Sequence, residues 1–263
     1  MGLHIESRSS DSPYIERVWR SSSRDVEQMT AVATARWDLV FWEHRGQVSA
    51  SVHGPETRAS QAPVPEDATF FGINFSLGTA MPHLPPGRLV DGSAEIPGTT
   101  HRSFWLKGST WHLPGWDNAE AFVRRLVREG VVERDPLVAA VLSDAPPDVS
   151  ERTVSERAMS ERIVSERTMS ERIVSERTMS ERTMQRRFLA ATGLTRAAIR
   201  QIDRARRAAV LIQDGVPVHD VIHRLGYFDQ PHLARSLRRY IGRTATQLGD
   251  RQPAQPLSLL YAT

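Results

Sequence analysis

Between Ser150 and Met184 the chain repeats Ser-Glu-Arg-x-x seven times, and no regular element can build a core on that period. The variable pairs are Thr-Val, Ala-Met, Ile-Val, Thr-Met, Ile-Val, Thr-Met and Thr-Met. A five-residue step matches neither the strand period nor the heptad. On a helix it rotates by about 140°, so the apolar pairs sweep around every face instead of lining one. Arg152 and Glu156 stand four apart, but in the less favourable order, worth about a few tenths of a kcal/mol. The segment therefore reads as a frayed, solvent-exposed helix or a disordered insert, and not as a solenoid.

The two sides of the repeat follow different periods. On the N-terminal side, Val48, Ala50 and Val52 alternate with Gln47, Ser49 and Ser51. Phe71, Ile73, Phe75 and Leu77 alternate with Gly72, Asn74 and Ser76, and Trp37 to Trp42 is a further β-rich run. Period two on short segments predicts half-buried strands. Punctuation by Gly54-Pro55, Pro85-Pro86-Gly87, Asp91-Gly92 and Pro97-Gly98 favours a barrel or sandwich.

The period changes near residue 117. Asp117 with Glu120 has the spacing of a capping box, and Phe122, Val123, Leu126 and Val127 then form a helical stripe ended by Gly130. Asp135-Pro136 opens a short helix to about Ser143. Past the repeat, Thr195 caps a long helix ending before Gly215. Pro217 opens another with Val218, Val221, Ile222 and Leu225 at i, i+3, i+4 and i+7, stopped by Gly226. Asp229 caps a last one with Leu233, Leu237 and Tyr240 inward. The expected organisation is α+β in two domains. Residues 1–116 form a β-rich domain, and 117–250 a helical domain carrying the 150–184 insert. Residues 251–263 form a tail.

Charge separates the same regions. Residues 1–149 hold 14 basic and 19 acidic groups, whereas residues 185–251 hold 13 basic and 5 acidic, net +8. A strongly basic module beside a mildly acidic body suggests a polyanion as partner. The chain has no cysteine, which excludes disulfides, thiolate metal sites and cysteine nucleophiles. No apolar run nears the ~20 residues of a membrane span, and Met1 to Ser12 lack a signal peptide's apolar core. A cytoplasmic protein is expected.

Residues 218–241 read helix, tight glycine turn, capped helix, which is the helix-turn-helix arrangement. On the second helix, Gln230, His232, Arg235, Arg238 and Arg239 face outward; Arg and Gln are the types that read purine edges bidentately. The run Gly226-Tyr227-Phe228-Asp229-Gln230-Pro231-His232-Leu233-Ala234-Arg235 through Gly242-Arg243-Thr244 resembles the signature of the AraC/XylS family of bacterial transcription regulators. Ser180 to Leu194 resembles the recognition helix of that family's first motif, and the helix from Thr195 resembles its linker. The clear resemblance covers residues 180–248. Two features depart from it: Ala245 stands where the family has proline, and the family's single Ser-x-Arg-Thr segment is here preceded by further Ser-Glu-Arg copies, seven in all.

The resemblance implies a sequence-specific regulator that binds duplex promoter or operator DNA through two helix-turn-helix motifs. Carried over by position, base reading falls on Arg182, Gln185 and Arg186 in the first motif and on Gln230, His232 and Arg235 in the second. Phosphate anchoring falls on Arg187, Arg200, Arg238 and Arg239. The resemblance also implies a cupin-like β-barrel sensor, in which the aromatic set Trp37, Phe41, Trp42, Phe70 and Phe71 is either plain barrel core or a candidate effector pocket. A small-molecule effector, RNA polymerase and a second copy of the chain are further candidate partners. The extra repeat copies are expected to loop out, since each doubling of loop length costs only about 0.6 kcal/mol.

Enzyme readings find little support in the residues. His44, His53, His83, His101 and His112 are dispersed, with no His pair one residue apart on a strand. His219 and His223 have metal-ligand spacing on a helix but no evident third ligand. No nucleophile elbow, phosphate loop or dinucleotide fingerprint is present. DNA-repair methyltransferases that share the helical unit need an acceptor cysteine. No enzyme activity, cofactor or metal is expected. The alternative is a small-molecule-binding or enzymatic barrel whose DNA-binding unit the repeat has disabled.

Overall fold

A computed structural model describes residues 2–24, 27–136, 138, 141, 181–250 and 256–258. The reading of the repeat up to Ser180, and most of the expected 136–143 helix, lie outside these residues.

The N-terminal region is built of strands β1 (Gly2–Ser9), β2 (Ile15–Arg24), β3 (Gln28–Ala31), β4 (Asp38–His44), β5 (Gln47–His53), β6 (Ser60–Pro63), β7 (Thr69–Phe75), β8 (Thr79–Ala80), β9 (Ser93–Glu95), β10 (Ser103–Leu106), β11 (Ser109–His112) and β12 (Glu133–Arg134). Six of them form one antiparallel sheet in the order β1-β2-β7-β4-β5-β9. The rest pair as β3 with β6, β8 with β12 and β10 with β11. The edge strands β1 and β9 are not paired with each other among the described residues. The β4–β5 hairpin turns on Arg45 (φ 50°) and Gly46 (φ 73°). Two positive φ values give the type I′ turn that matches strand twist.

Register places Val18, Ile73, Leu39 and Val52 side by side as one buried row. On β7 the expected half-burial is exceeded, because Gly72 and Asn74 are buried as well. The strand is central and covered on both faces. A Cβ at Gly72 would sit 2.1 Å from the Trp19 ring, and Asn74 donates to Asp38 at 3.2 Å.

Helix α1 (Ala119–Arg128) packs Ala119, Val123 and Leu126 into this β core, although the sequence division assigned it to the helical part. The expected capping box does not form. Asn118 is the N-cap, and the Glu120 carboxylate instead accepts from Arg8 Nη2 at 3.0 Å and Ser10 Oγ at 2.9 Å. The Arg8 hydrogen bond is the main reason its pKa is pulled down to about 2. A long-range cation outcompeted the local backbone amide.

The C-terminal region is helical: α2 (Glu181–Thr192), α3 (Arg196–Gln213), α4 (Val218–Leu225), α5 (Gln230–Tyr240) and α6 (Ala245–Gly249). The protein is thus α+β, with a β-rich and a helical part. Phe188, Leu194, Ile199, Ile202, Ala209, Val221, Leu233 and Leu237 share one core. No helix among the described residues is long and apolar enough to cross a membrane.

The halves are joined by an insertion of one into the other. Val32, Ala33 and Ala35, just after β3, lie in the helical core. Ala33 N–H donates to Tyr240 O at 2.7 Å and Ala59 N–H to Arg239 O at 2.8 Å. Arg206, 3% exposed, donates to Ala33 O at 2.9 Å. Buried Arg36 pairs with Glu16 and, at 3.0 Å, with Asp203 of α3. From the tail, residues 256–258 lie along β3, with Thr30 N–H donating to Pro256 O at 2.9 Å and Ser258 N–H to Thr30 O at 2.8 Å.

Candidate nucleic-acid interface

The second motif is locally determined. Helix α4 ends on Gly226 in the left-handed region (φ 66°), where a side chain would be strained. Tyr227 turns inward, 5% exposed, its hydroxyl 3.1 Å from Ser236 Oγ and its ring under the Arg204 guanidinium. Asp229 then caps α5, its carboxylate accepting from His232 N–H at 2.7 Å. Leu233, Leu237 and Tyr240 are buried on one side of α5.

The opposite side of α5 carries Gln230, Arg235, Arg238 and Arg239, all exposed. At 100° per residue, the centre of the exposed face falls on Pro231, Arg235 and Arg238, with Ala234 and Arg239 on its two flanks and Gln230 at its margin. Pro231 and Ala234 were missed in the sequence reading, which looked only for hydrogen-bonding types. His232 is half-buried: its ring meets Tyr227 at 5.2 Å, and Nδ1 accepts weakly from Phe228 N–H at 3.4 Å. After Ile241, Thr244 and Gln247 make a reciprocal capping box on α6 (3.2 and 2.9 Å). That cap holds the helix start just before Ala245.

In the first motif Arg182, Gln185 and Arg186 are exposed on α2, with Arg182 and Arg186 turned away from buried Phe188. Arg187 is half-buried and ion-paired with Asp135 at 2.7 Å. Val138 shares the core with Phe188, and Arg196 donates to Val141 O at 3.1 Å. The chain before the repeat thus touches the helix after it. Thr195 caps α3 by accepting from Ala198 N–H at 3.2 Å. This 18-residue linker spans about 27 Å, and Arg200 is exposed on it. His219 and His223 are exposed with their Nε2 atoms 3.0 Å apart, so each partners the other. Among the described residues no group of three or more His, Cys, Asp or Glu is placed to hold a metal ion.

The β half carries a cleft of about 490 Å³ on the inner face of the six-stranded sheet. Phe41 and Phe71, register partners, lie at its base with the Arg20–Glu6 pair beside them. Trp116 covers Arg20 at 4.6 Å, and Trp42 also lines the cleft. Trp37 does not join them: it is 4% exposed, stacked on Phe75 at 3.8 Å, and donates to Thr79 O. Phe70 lines it as well, and Trp116 is a lining residue that the sequence did not single out.

Near the seam between the halves, burial pushes Glu56 up to about 8 and Asp38 up to about 7. The charges of Asp38 and Asp91 add to the Glu56 shift, and Arg206 opposes it.

A family model described as a helix-turn-helix domain matches residues 173–251. The comparisons with curated proteins and with solved structures returned no match. The matched segment takes in α2 through α6, and it is a helix-turn-helix domain of the AraC type.

Proposed function

We propose that the protein is a sequence-specific transcription regulator that grips duplex DNA with two successive recognition helices, α2 and α5. The observation that carries this reading is α5 itself. A capped helix seated on a left-handed glycine turn buries Leu233 and Leu237 and turns Arg235 and Arg238 outward. A major groove about 12 Å wide accepts such a helix. In this reading Arg182, Gln185 and Arg186 of α2 and Gln230, His232 and Arg235 of α5 read bases. Arg200, Arg238 and Arg239 anchor phosphates. Arg187 would have to leave Asp135 to do the same. The reading assigns no catalytic step, cofactor or metal to the chain.

The β half is read as a sensor. Its cleft has an aromatic base at Phe41 and Phe71 and a polar side at Arg20 and Glu6. That combination suits a small flat molecule with one polar end. The insertion of residues 32–35 into the helical core would carry its occupancy to α3 and α5.

The test is selection of bound duplexes from a random pool by the full chain, followed by binding measurements on the recovered sequence and a scrambled one. The recovered sequence is expected to bind more tightly. Equal affinity for both would overturn sequence-specific recognition.

A further inference from the structure

Phe228 is 90% exposed, the most exposed large hydrophobic side chain among the described residues. It stands one position before the cap of α5. There a hydrophobic residue commonly folds back onto the fourth helical position, which here is Leu233. That staple is not made, since Leu233 is buried at 1% and Phe228 is in solvent. The backbone beneath it is held firmly. Tyr227 is anchored to Ser236, and Asp229 caps His232. An aromatic ring is thus held out at the end of the recognition helix with no folding task.

Pro231 and Ala234 continue at a spacing of three along the exposed side of α5. Neither offers a side-chain hydrogen bond. Arg235 and Arg238 flank them, which supplies the charge for a phosphate-lined groove. The apolar feature of a base edge in the major groove is the thymine 5-methyl group, and Phe and Ala are side chains that contact it.

We propose that Phe228, with Pro231 and Ala234, forms an apolar element that reads thymine methyl groups in the half-site bound by the second motif. This rests on the DNA-binding reading above and adds the base chemistry that motif selects. The second half-site then holds thymines at positions where arginines alone would select guanines.

The experiment measures binding of the full chain to its selected duplex with each thymine replaced in turn by uracil, which deletes only the methyl. At one or more positions in the second half-site the wild type is expected to lose about fourfold in affinity, the weight of one buried methyl. Phe228→Ala should bind more weakly than wild type and lose the response to uracil at the position it contacts. Arg238→Ala should bind more weakly but keep that response. Because Phe228 is in solvent, Phe228→Ala should leave the thermal midpoint unchanged. Binding that is blind to uracil throughout, or a uracil response unchanged in Phe228→Ala, overturns the inference and leaves the DNA-binding reading standing. A chain that binds no duplex DNA overturns both.

Discussion

The two helices proposed to enter DNA, α2 and α5, differ in how their support is assembled. Around α5 the turns and caps are local, with Val221 and Leu225 on α4, the Gly226 turn, the Asp229 cap and the Thr244–Gln247 box close in sequence, while Arg239 O and Tyr240 O also accept from Ala59 and Ala33 of the β half. Around α2 the support comes from far along the chain. Asp135 and Val138 reach it from before the repeat, and Phe188 packs with residues of α3. The β half also touches the two differently. Gly193, after α2, has its Cα side against the Pro86–Gly87 backbone, whereas Gly242, after α5, faces Thr30 and Ala59. Turns and caps set by near neighbours tolerate change elsewhere in the chain, whereas contacts assembled from distant segments depend on the fold around them.

That contrast can be broken or sharpened by experiment. The largest effect concerns both motifs together. With ~6 phosphates engaged, affinity should fall on the order of 10³-fold between about 50 and 200 mM salt. A flat response in a salt titration would remove the polyanion reading of both helices.

Core truncations come next. Phe188→Ala should cost about 3–5 kcal/mol and Leu237→Ala about 2–5 kcal/mol, read by denaturant unfolding. The first should loosen α2 and spare α5 if the motifs are separable. Equal loss of amide protection in both helices would show that they open as one unit.

On the exposed faces the effects are smaller. Arg235→Ala should lose roughly 1–3 kcal/mol for the selected site and relax specificity there, whereas Arg238→Ala should weaken all sequences alike. Arg186→Ala is the matching test in α2. Uniform weakening by Arg235→Ala would reduce that residue to an anchor.

The seam between the halves gives a pH test with a defined sign. Glu56 is protonated in the folded protein up to about 8, whereas an unfolded Glu ionises near an ordinary value of about 4.3. Between those values the folded state holds the extra proton, so stability should fall as pH rises through this window. Asp38, raised to about 7, acts in the same direction. Glu56→Gln should flatten the decline of the thermal midpoint between about pH 5 and 8. An unchanged slope would show that Glu56 stays solvated.

The smallest expected effect is that of deleting residues 150–179, which joins Val149 to Ser180. Affinity and thermal midpoint should be preserved or slightly improved, since shortening a loop alters closure entropy only logarithmically. Loss of binding in a folded deletion protein would make the repeat part of the binding surface.

Much of the second motif was legible before any coordinates, because each of its signals is local. Gly226 supplies the left-handed turn, Asp229 the cap, and Leu233, Leu237 and Tyr240 the stripe. Thr195 was legible as a cap for the same reason. The strands β5 and β7 showed through their alternation, but the burial of Gly72 and Asn74 did not. That depends on Trp19 and Asp38 arriving from other strands. Glu120 looked like a capping residue until Arg8, 112 positions away, claimed its carboxylate. Trp37 looked like a pocket residue by its aromatic neighbours, yet Phe75 and Thr79 O hold it in the core.

The periods, caps and turns of α3 to α5 and the basic character of the C-terminal part can be read along the chain alone. Those rest on interactions between residues a few positions apart. Long-range packing places α1 in the β core and residues 32–35 in the helical one. It also leaves the Phe228 ring exposed. Each of those outcomes turns on which distant surface reaches a side chain first, and a period in the chain carries no information about distant surfaces.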